Sequence, residues 1–324
     1  MGMSLSFHPP WWAIGPHAQT MGARMLRPKG RLPLRRERWN TPDGDFVDLD
    51  FADIEGLRED ALVLLLHGLE GSARSGYAYQ LYEQLSLRGL QTVGLNFRSC
   101  SGELNRGLRL YHSGGTEDRA WVLHGRKGRF PGRQLAAVGV SLGGNVVLKY
   151  LGESGGDSGL EAAAAMSVPF DLSSGADFME QGFAQVYVRR LLRSLKTKMH
   201  IRVEELGPLI DVERTSNAST FREFDDAATA PLHGFGGAAD YYARSSSAAF
   251  LGAIRTPTLV VHSMDDPFLP AGAIPTGSLE ANAFLQPVIT RRGGHVGFVT
   301  GANPLKPVFW AENVIADWLV ERLG

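Results

Sequence analysis

Leu135-Ala136-Ala137-Val138-Gly139-Val140-Ser141-Leu142-Gly143-Gly144-Asn145 reads as a strand that turns abruptly into a helix. The run Leu135–Val140 is continuously apolar, which suits a strand buried on both faces of a parallel sheet. From Ser141 to Leu151 the apolar spacing becomes helical. At the junction stands the G-x-S-x-G pattern of a nucleophile elbow. A serine in so tight a turn holds a constrained backbone, and small residues two before and two after it let neighbouring chain approach closely. Its hydroxyl is then presented above the sheet at the positive end of a helix. The pentapeptide alone is weak, because chance supplies roughly 0.3 copies in a chain of this length. A glycine-rich turn that holds a phosphate would look the same, so the rest of the chain must be read with it.

Further strands are expected at Ala61–Leu66, Gln91–Asn96, Ala162–Ser167, Thr258–His262 and Phe284–Thr290. Phe46–Phe51 alternates in part, as a half-exposed strand would. Helices are expected over Tyr77–Arg88, around Ala120–Leu123, and as a terminal amphipathic helix over Pro307–Leu323. Strand and helix alternate, which implies an α/β fold with a mostly parallel, doubly wound sheet. The alternation fails between Asp171 and about Ile254, where the chain is helical, charged and too long for a connection. The expectation is one α/β domain over 1–324 with a helical cap inserted at about 171–254. The first forty residues read as irregular, because Pro9, Pro10, Pro16, Pro28 and Pro33 punctuate them, and residues 1–40 are expected to wrap the domain.

Composition narrows the classes. Of 324 residues, 33 are Lys or Arg and 34 Asp or Glu, giving a formal net charge of −1, which argues against a dedicated nucleic-acid binder. With 44% hydrophobic and 21% charged residues, a sizeable core is expected. One cysteine, Cys100, excludes an internal disulfide and a multi-cysteine metal site. The longest clear apolar run, Ala61–Leu66, is far shorter than the ~18 residues of a spanning helix. The N-terminus lacks a signal peptide's basic start and apolar stretch, so a soluble cytoplasmic protein is expected. No His-Glu-x-x-His and no dinucleotide fingerprint is present, and no metal or organic cofactor is implied.

A serine nucleophile needs a base and a carboxylate that orients the base, in the chain order Ser, acid, His. His262 ends an apolar strand and reads as a hydrogen-bonded structural histidine. His295 lies in Arg292-Gly293-Gly294-His295-Val296-Gly297-Phe298, a close-approaching loop after the last strand, where the base belongs. The acid should follow Thr258–His262, and Met264-Asp265-Asp266-Pro267 offers two. Asp266, directly before the turn-forming Pro267, is preferred. Asp265 would then hydrogen-bond the loop, and Asp171 is an outside candidate. The oxyanion donors are assigned to the backbone N–H groups of Leu142 and of Leu69, in His67-Gly68-Leu69-Glu70-Gly71-Ser72. His67 and His112 read as structural, and Cys100 as a poor alternative nucleophile.

The motifs together resemble the YheT-like branch of the α/β-hydrolases, predicted esterases with relatives among eukaryotic lipid hydrolases and acyltransferases. The resemblance runs nearly the full length. It rests on Pro16-His17-Ala18-Gln19-Thr20, Asp43-Gly44-Asp45-Phe46, the His67–Ser72 and Ser141 motifs, Asn96-Phe97-Arg98-Ser99-Cys100-Ser101-Gly102 and Tyr111-His112-Ser113-Gly114. Arg222-Glu223-Phe224-Asp225-Asp226, Asp240-Tyr241-Tyr242 and the His295 loop complete it. It implies Ser141 as nucleophile, the Asp265-Asp266 pair as acid and His295 as base. Ser263–Pro270 is similar to a hydrolase pattern in which the aspartate directly before the proline turn is the acid. Ser99 departs from the family, which usually has glycine there. The function expected is a serine carboxylic-ester hydrolase acting on short- to medium-chain acyl esters through a Ser-His-Asp acyl-enzyme. An acyltransferase or a lipid- or monoacylglycerol-type lipase would use the same triad. A non-catalytic scaffold would lack a triad or oxyanion element, and none is missing.

Two segments bear on partners. Phe183–Lys198 carries apolar residues near helical spacing with arginines between them and reads as a cap helix over an acyl pocket. Arg24–Arg38 holds seven basic residues and one Glu, and interleaved Leu and Pro suggest that it wraps the domain. Together they raise the expectation of weak peripheral contact with anionic membrane.

Overall fold

The computed structural model describes residues 6–28, 30, 32–118, 122, 130 and 132–324. Eight strands form one sheet in the order β1-β2-β4-β3-β5-β6-β7-β8. They are β1 (Leu34–Asn40), β2 (Phe46–Ala52), β3 (Arg58–Leu66), β4 (Leu90–Asn96), β5 (Gln134–Val140), β6 (Ala162–Met166), β7 (Thr258–Ser263) and β8 (Leu285–Thr290). The pairs β1–β2 and β2–β4 are antiparallel, and every other pair is parallel. The apolar run of β3 is buried on both faces as expected. Leu62, Leu64 and Leu66 enter the core on one side, and Val63 and Leu65 the core on the other. Each fully buried leucine contributes roughly 1.5–3 kcal/mol.

Helices cover both faces. On one side lies α3 (Leu142–Ser154), whose Val146, Val147 and Leu151 pack on Leu64 and Leu66. On the other lie α2 (Gly76–Ser86) and the terminal α7 (Trp310–Leu323), which bring Leu81, Leu85, Ile315 and Trp318 to Val63, Leu65 and Val138. β6 is Ala162-Ala163-Ala164-Ala165-Met166 and fully buried, so small side chains let helices close on the middle of the sheet. In register, Leu66 is beside Gly139, Val140 beside Met166, Met166 beside Val261 and Ser263 beside Thr290. The loops after β3, β5, β6, β7 and β8 therefore leave one edge of the sheet side by side.

Several expectations need correction. β2 is not half-exposed: all seven of its residues are buried. Asp48 and Asp50 fall on its polar face, but Arg38 covers the first, and Arg36 and Arg74 cover the second. Residues 1–40 are not irregular throughout, since α1 spans Pro16–Leu26 and β1 begins at Leu34. Pro16 stands in the first turn of α1, where proline lacks only an N–H that has no helical partner and its fixed φ suits the helix. The terminal helix starts at Trp310 and not Pro307, because Val308–Phe309 (β10) pairs with Val299–Thr300 (β9). Nor is it simply amphipathic, since only Glu321, Arg322 and Gly324 at its end are exposed. Apart from Val122, the helix expected over Ala120–Leu123 lies outside the described residues.

Between β6 and β7 the chain is helical. It contains α4 (Leu172–Met179), α5 (Gln185–Ile201), several short turns, a π-helical segment Asp225–Thr229 and α6 (Ala238–Ser245). Its own small core gathers Val188, Leu192, Met199, Leu206 and Phe224. It meets the sheet's loops through Tyr241, whose hydroxyl accepts from Ser113 N–H, and Arg202, which donates to Gly107 O.

Candidate active site

Ser141 follows β5 with φ 54° and ψ −121°, a left-handed value that is costly for a residue with a Cβ. Surrounding chain enforces it. Its N–H donates to Met166 O across the sheet, and its carbonyl accepts from Asn145 N–H. A Cβ on Gly143 would stand 2.7 Å from His67 O, and one on Gly139 2.6 Å from Gly144 Cα. The glycines are thus required by backbone packing.

Ser141 Oγ lies 2.9 Å from His295 Nε2. His295 Nδ1 lies 2.8 Å from Asp266 Oδ2 and 3.1 Å from Oδ1. Nδ1–H donates to the carboxylate, which leaves Nε2 free to accept from the serine hydroxyl. Asp266 is also held by Phe268 N–H at 2.8 Å, and the Phe268 ring lies flat on His295 with centroids 3.9 Å apart. The other carboxylates go elsewhere. Asp265 Oδ1 accepts from Gly294 N–H at 2.9 Å, one residue before His295. Asp171 caps α4, accepting from Ser173 and Ser174 N–H.

The His295 loop is clamped from distant chain. His295 N–H donates to Thr20 Oγ1 of α1 at 2.9 Å. Arg27 donates to Val296 O and Gly297 O and pairs with the buried Glu312. Gln19 exchanges hydrogen bonds with Val299 N–H and C=O. Ser263 Oγ holds Gly294 O, and Ser167 Oγ accepts from Val296 N–H. Sequence reasoning assigned none of these roles. The Pro16–Thr20 motif was the one signal, and it carried no chemistry of its own.

On the other side of the serine runs the loop after β3. A Cβ on Gly68 would stand 3.1 Å from Ser141 Cβ and 3.5 Å from its Oγ. Gly68 N–H donates to Tyr77 OH and Glu70 N–H to Tyr111 OH. The Leu69 and Leu142 N–H groups make no hydrogen bond to the described residues. Glu70, at φ 51°, is tied to α5 by Lys198 at 2.7 Å and by Ser194.

His67, His112 and His262 make no hydrogen bond to Ser141 or His295 among the described residues. His67 donates from Nδ1 to Gly68 O and accepts from Phe97 N–H, and burial pushes its pKa down to about 4. Burial also lowers His112, which accepts from Gly114 N–H. His262 differs from expectation. It is fully buried, yet neither ring nitrogen has a hydrogen-bond partner among the described residues, and Nε2 stands 3.9 Å from Asp266 Oδ2. Burial lowers its pKa to about 4 and keeps it neutral. Cys100 is buried beside Lys198, and burial pushes its thiol up to about 12, where it is a poor nucleophile. Ser99 has φ 62°, and its hydroxyl hydrogen-bonds Asn105 through both backbone N–H and side chain. This offsets the cost of a serine at a left-handed φ.

Chemically, the arrangement provides a hydroxyl, a base in reach of its proton, a carboxylate behind the base, and two backbone donors without a partner among the described residues, one on the loop after β3 and one at the start of α3. Among the described residues no cluster of His, Cys, Asp and Glu is suited to hold a metal ion.

Comparison with known proteins agrees with the fold. A family model described as the alpha/beta hydrolase fold matches residues 61–302. YheT of Escherichia coli (strain K12) is 40% identical over 95% of this chain and 91% of its own. Phospholipase ABHD3 of Mus musculus is 31% identical over 92% of this chain and 74% of its own. A solved structure of the Pyrococcus furiosus esterase Pf2001 superposes with TM-score 0.59 at 15% identity, covering 98% of this chain and all of that one.

Proposed function

The chain belongs to the α/β-hydrolase family as a YheT-like member, and we propose that it is a serine carboxylic-ester hydrolase acting on short- to medium-chain acyl esters. One observation carries the reading: His295 bridges Ser141 Oγ and Asp266 with hydrogen bonds of 2.9 and 2.8 Å. In the proposed reaction His295 Nε2 takes the Ser141 proton as Oγ attacks the ester carbonyl. Asp266 holds the Nδ1–H tautomer and stabilises the imidazolium. The N–H groups of Leu69 and Leu142 receive the oxyanion, a contribution of several kcal/mol in comparable sites, roughly 3–4 per donor. His295 then gives the proton to the departing alcohol. Water, deprotonated by the same nitrogen, releases the acid from Ser141. The helical segment 171–254 acts as a cap over this site within one domain, and Tyr187 of α5, whose ring lies 5.0 Å from Phe268, borders the acyl pocket.

The test is hydrolysis of p-nitrophenyl esters across acyl lengths, wild type beside Ser141→Ala. Wild-type activity that disappears in the variant is the expected result. Activity that survives would remove Ser141 as nucleophile.

A further inference from the structure

Cationic and apolar side chains gather on one face outside the site. Along α5, Arg189, Arg193, Lys196 and His200 follow a single helical stripe and line an open groove of about 760 Å³ with Val188 and Leu192 also in its wall. Glu180 is the one acidic residue lining it. Among the described residues Arg189 is bonded only to Gln185 Oε1, and Lys196 to Ser216 O. Next to the stripe is Arg190; partial burial first, and the charge of Arg190 second, disfavour the charged form of Arg24 of α1. None of these cations forms an ion pair with a carboxylate among the described residues. Of the described cations in the Arg24–Arg38 run, Arg27, Arg35, Arg36 and Arg38 are bound to acids of the domain.

Apolar groups are exposed beside the charges. Met21 and Met25 stand one turn apart on α1, Met25 at 80% exposure, and Phe183, in the turn before α5, and Val186, in its first turn, are exposed. The two helices meet where the His17 ring lies 4.6 Å from Phe183 and His17 Nδ1 3.1 Å from Tyr187 OH. This face adjoins the site, because Thr20 of α1 holds His295 N–H and Tyr187 packs on Phe268.

We propose that this face docks on an anionic lipid bilayer. The α5 cations meet headgroup phosphates, and Met21, Met25, Phe183 and Val186 enter the boundary between headgroups and acyl chains. A second copy of the chain fits less well, since a two-fold contact sets the patch against itself and brings the unpaired arginines together. No helix among the described residues is long and apolar enough to span a membrane, so the contact is peripheral. The docking involves no serine chemistry, and its test reads binding alone.

The full chain is floated with phosphatidylcholine vesicles, with and without phosphatidylglycerol, at low and physiological salt. Binding is expected only with phosphatidylglycerol and is weaker at the higher salt. Replacing Arg189, Arg190 and Arg193 together by Gln lowers vesicle partitioning about 100-fold, at about fivefold per charge. Met21→Asp with Met25→Asp lowers it by tenfold or more. Thermal melting shows that each variant is folded. Absence of wild-type binding at low salt, or folded variants that bind like wild type, overturns the proposal. So does a concentration-dependent dimer in light scattering that Met25→Asp dissociates, since the face is then an interface between copies.

Discussion

Lys198 Nζ stands 2.7 Å from Glu70 Oε1, joining α5 to the loop that passes Ser141. Ser194 and Tyr111 donate to the same carboxylate, and Glu70 holds a left-handed φ directly after Leu69. Lys198→Met would leave a buried carboxylate without its counter-charge, a loss of about 3 kcal/mol. If the Leu69 N–H depends on this tie, kcat for a p-nitrophenyl ester falls about tenfold while KM stays within about twofold. Lys198→Met with Glu70→Gln recovers part of the stability but not kcat. A wild-type kcat in both would show that the loop holds its shape alone.

Adjacent carboxylates divide two tasks. Asp266 faces His295 Nδ1, and Asp265 accepts from Gly294 N–H. Asp266→Asn is expected to lower kcat about 10⁴-fold, because the amide favours the wrong imidazole tautomer. Asp265→Asn keeps an oxygen that can accept from Gly294, so a loss below about tenfold is expected. Equal losses in steady-state assays would overturn this division.

The proximity of Ser141, His295 and Asp266 could be anticipated from local signals: glycines around Ser141, glycines around His295, and the order of acid and base along the chain. Asp265 and Asp266 could not be separated with the same force, since two neighbours differ only in where each side chain points. Contacts between remote segments left at most a motif without readable chemistry, Pro16–Thr20. Thr20 reaches His295 across 275 positions, and Arg27 reaches Glu312 across 285. The same physics hid the burial of β2, where alternation correctly marks a polar face but not the arginines that cover it. Proline misled at α1, because the sign of its effect depends on whether it stands in the first turn or later.

The π-helical segment contains a half-buried acid, Asp225, which accepts from Tyr242 OH and Thr229 OH. Burial pushes its pKa up to about 6, against the hydrogen bonds and Arg222. The folded state therefore holds a proton that the unfolded state, near 3.8, has released. Stability from this group is full below about pH 4, falls as pH rises, and levels off above pH 6. Asp225→Asn carries no such charge. Its melting temperature relative to wild type should rise between pH 5 and pH 8, by the equivalent of about 1–3 kcal/mol. His67 and His262 run the opposite way, losing stability as pH falls from 6.5 towards 4, but they are common to both proteins and cancel in the difference. A pH-independent difference would contradict the raised pKa.

Gly143 tests how far the elbow depends on contact between backbones. Its φ is not in the left-handed region, so an alanine there is conformationally allowed and, by helix propensity alone, would stabilise α3 by about 1 kcal/mol. Packing opposes it. The new Cβ would stand 2.7 Å from His67 O and closer still to Leu66 O, and backbone at the end of a central strand cannot rotate aside as a side chain can. Gly143→Ala is expected to cost about 3 kcal/mol net. Any relief must push β3 outward and carry the His67–Ser72 loop away from Ser141, so kcat should fall together with melting temperature. Gly156→Ala has nothing within 4 Å of its new Cβ and should stay within about 0.5 kcal/mol of wild type. A stable, fully active Gly143→Ala protein would mean that the strand end yields without moving the loop, and that the packing of α3 against β3 is looser than these distances require.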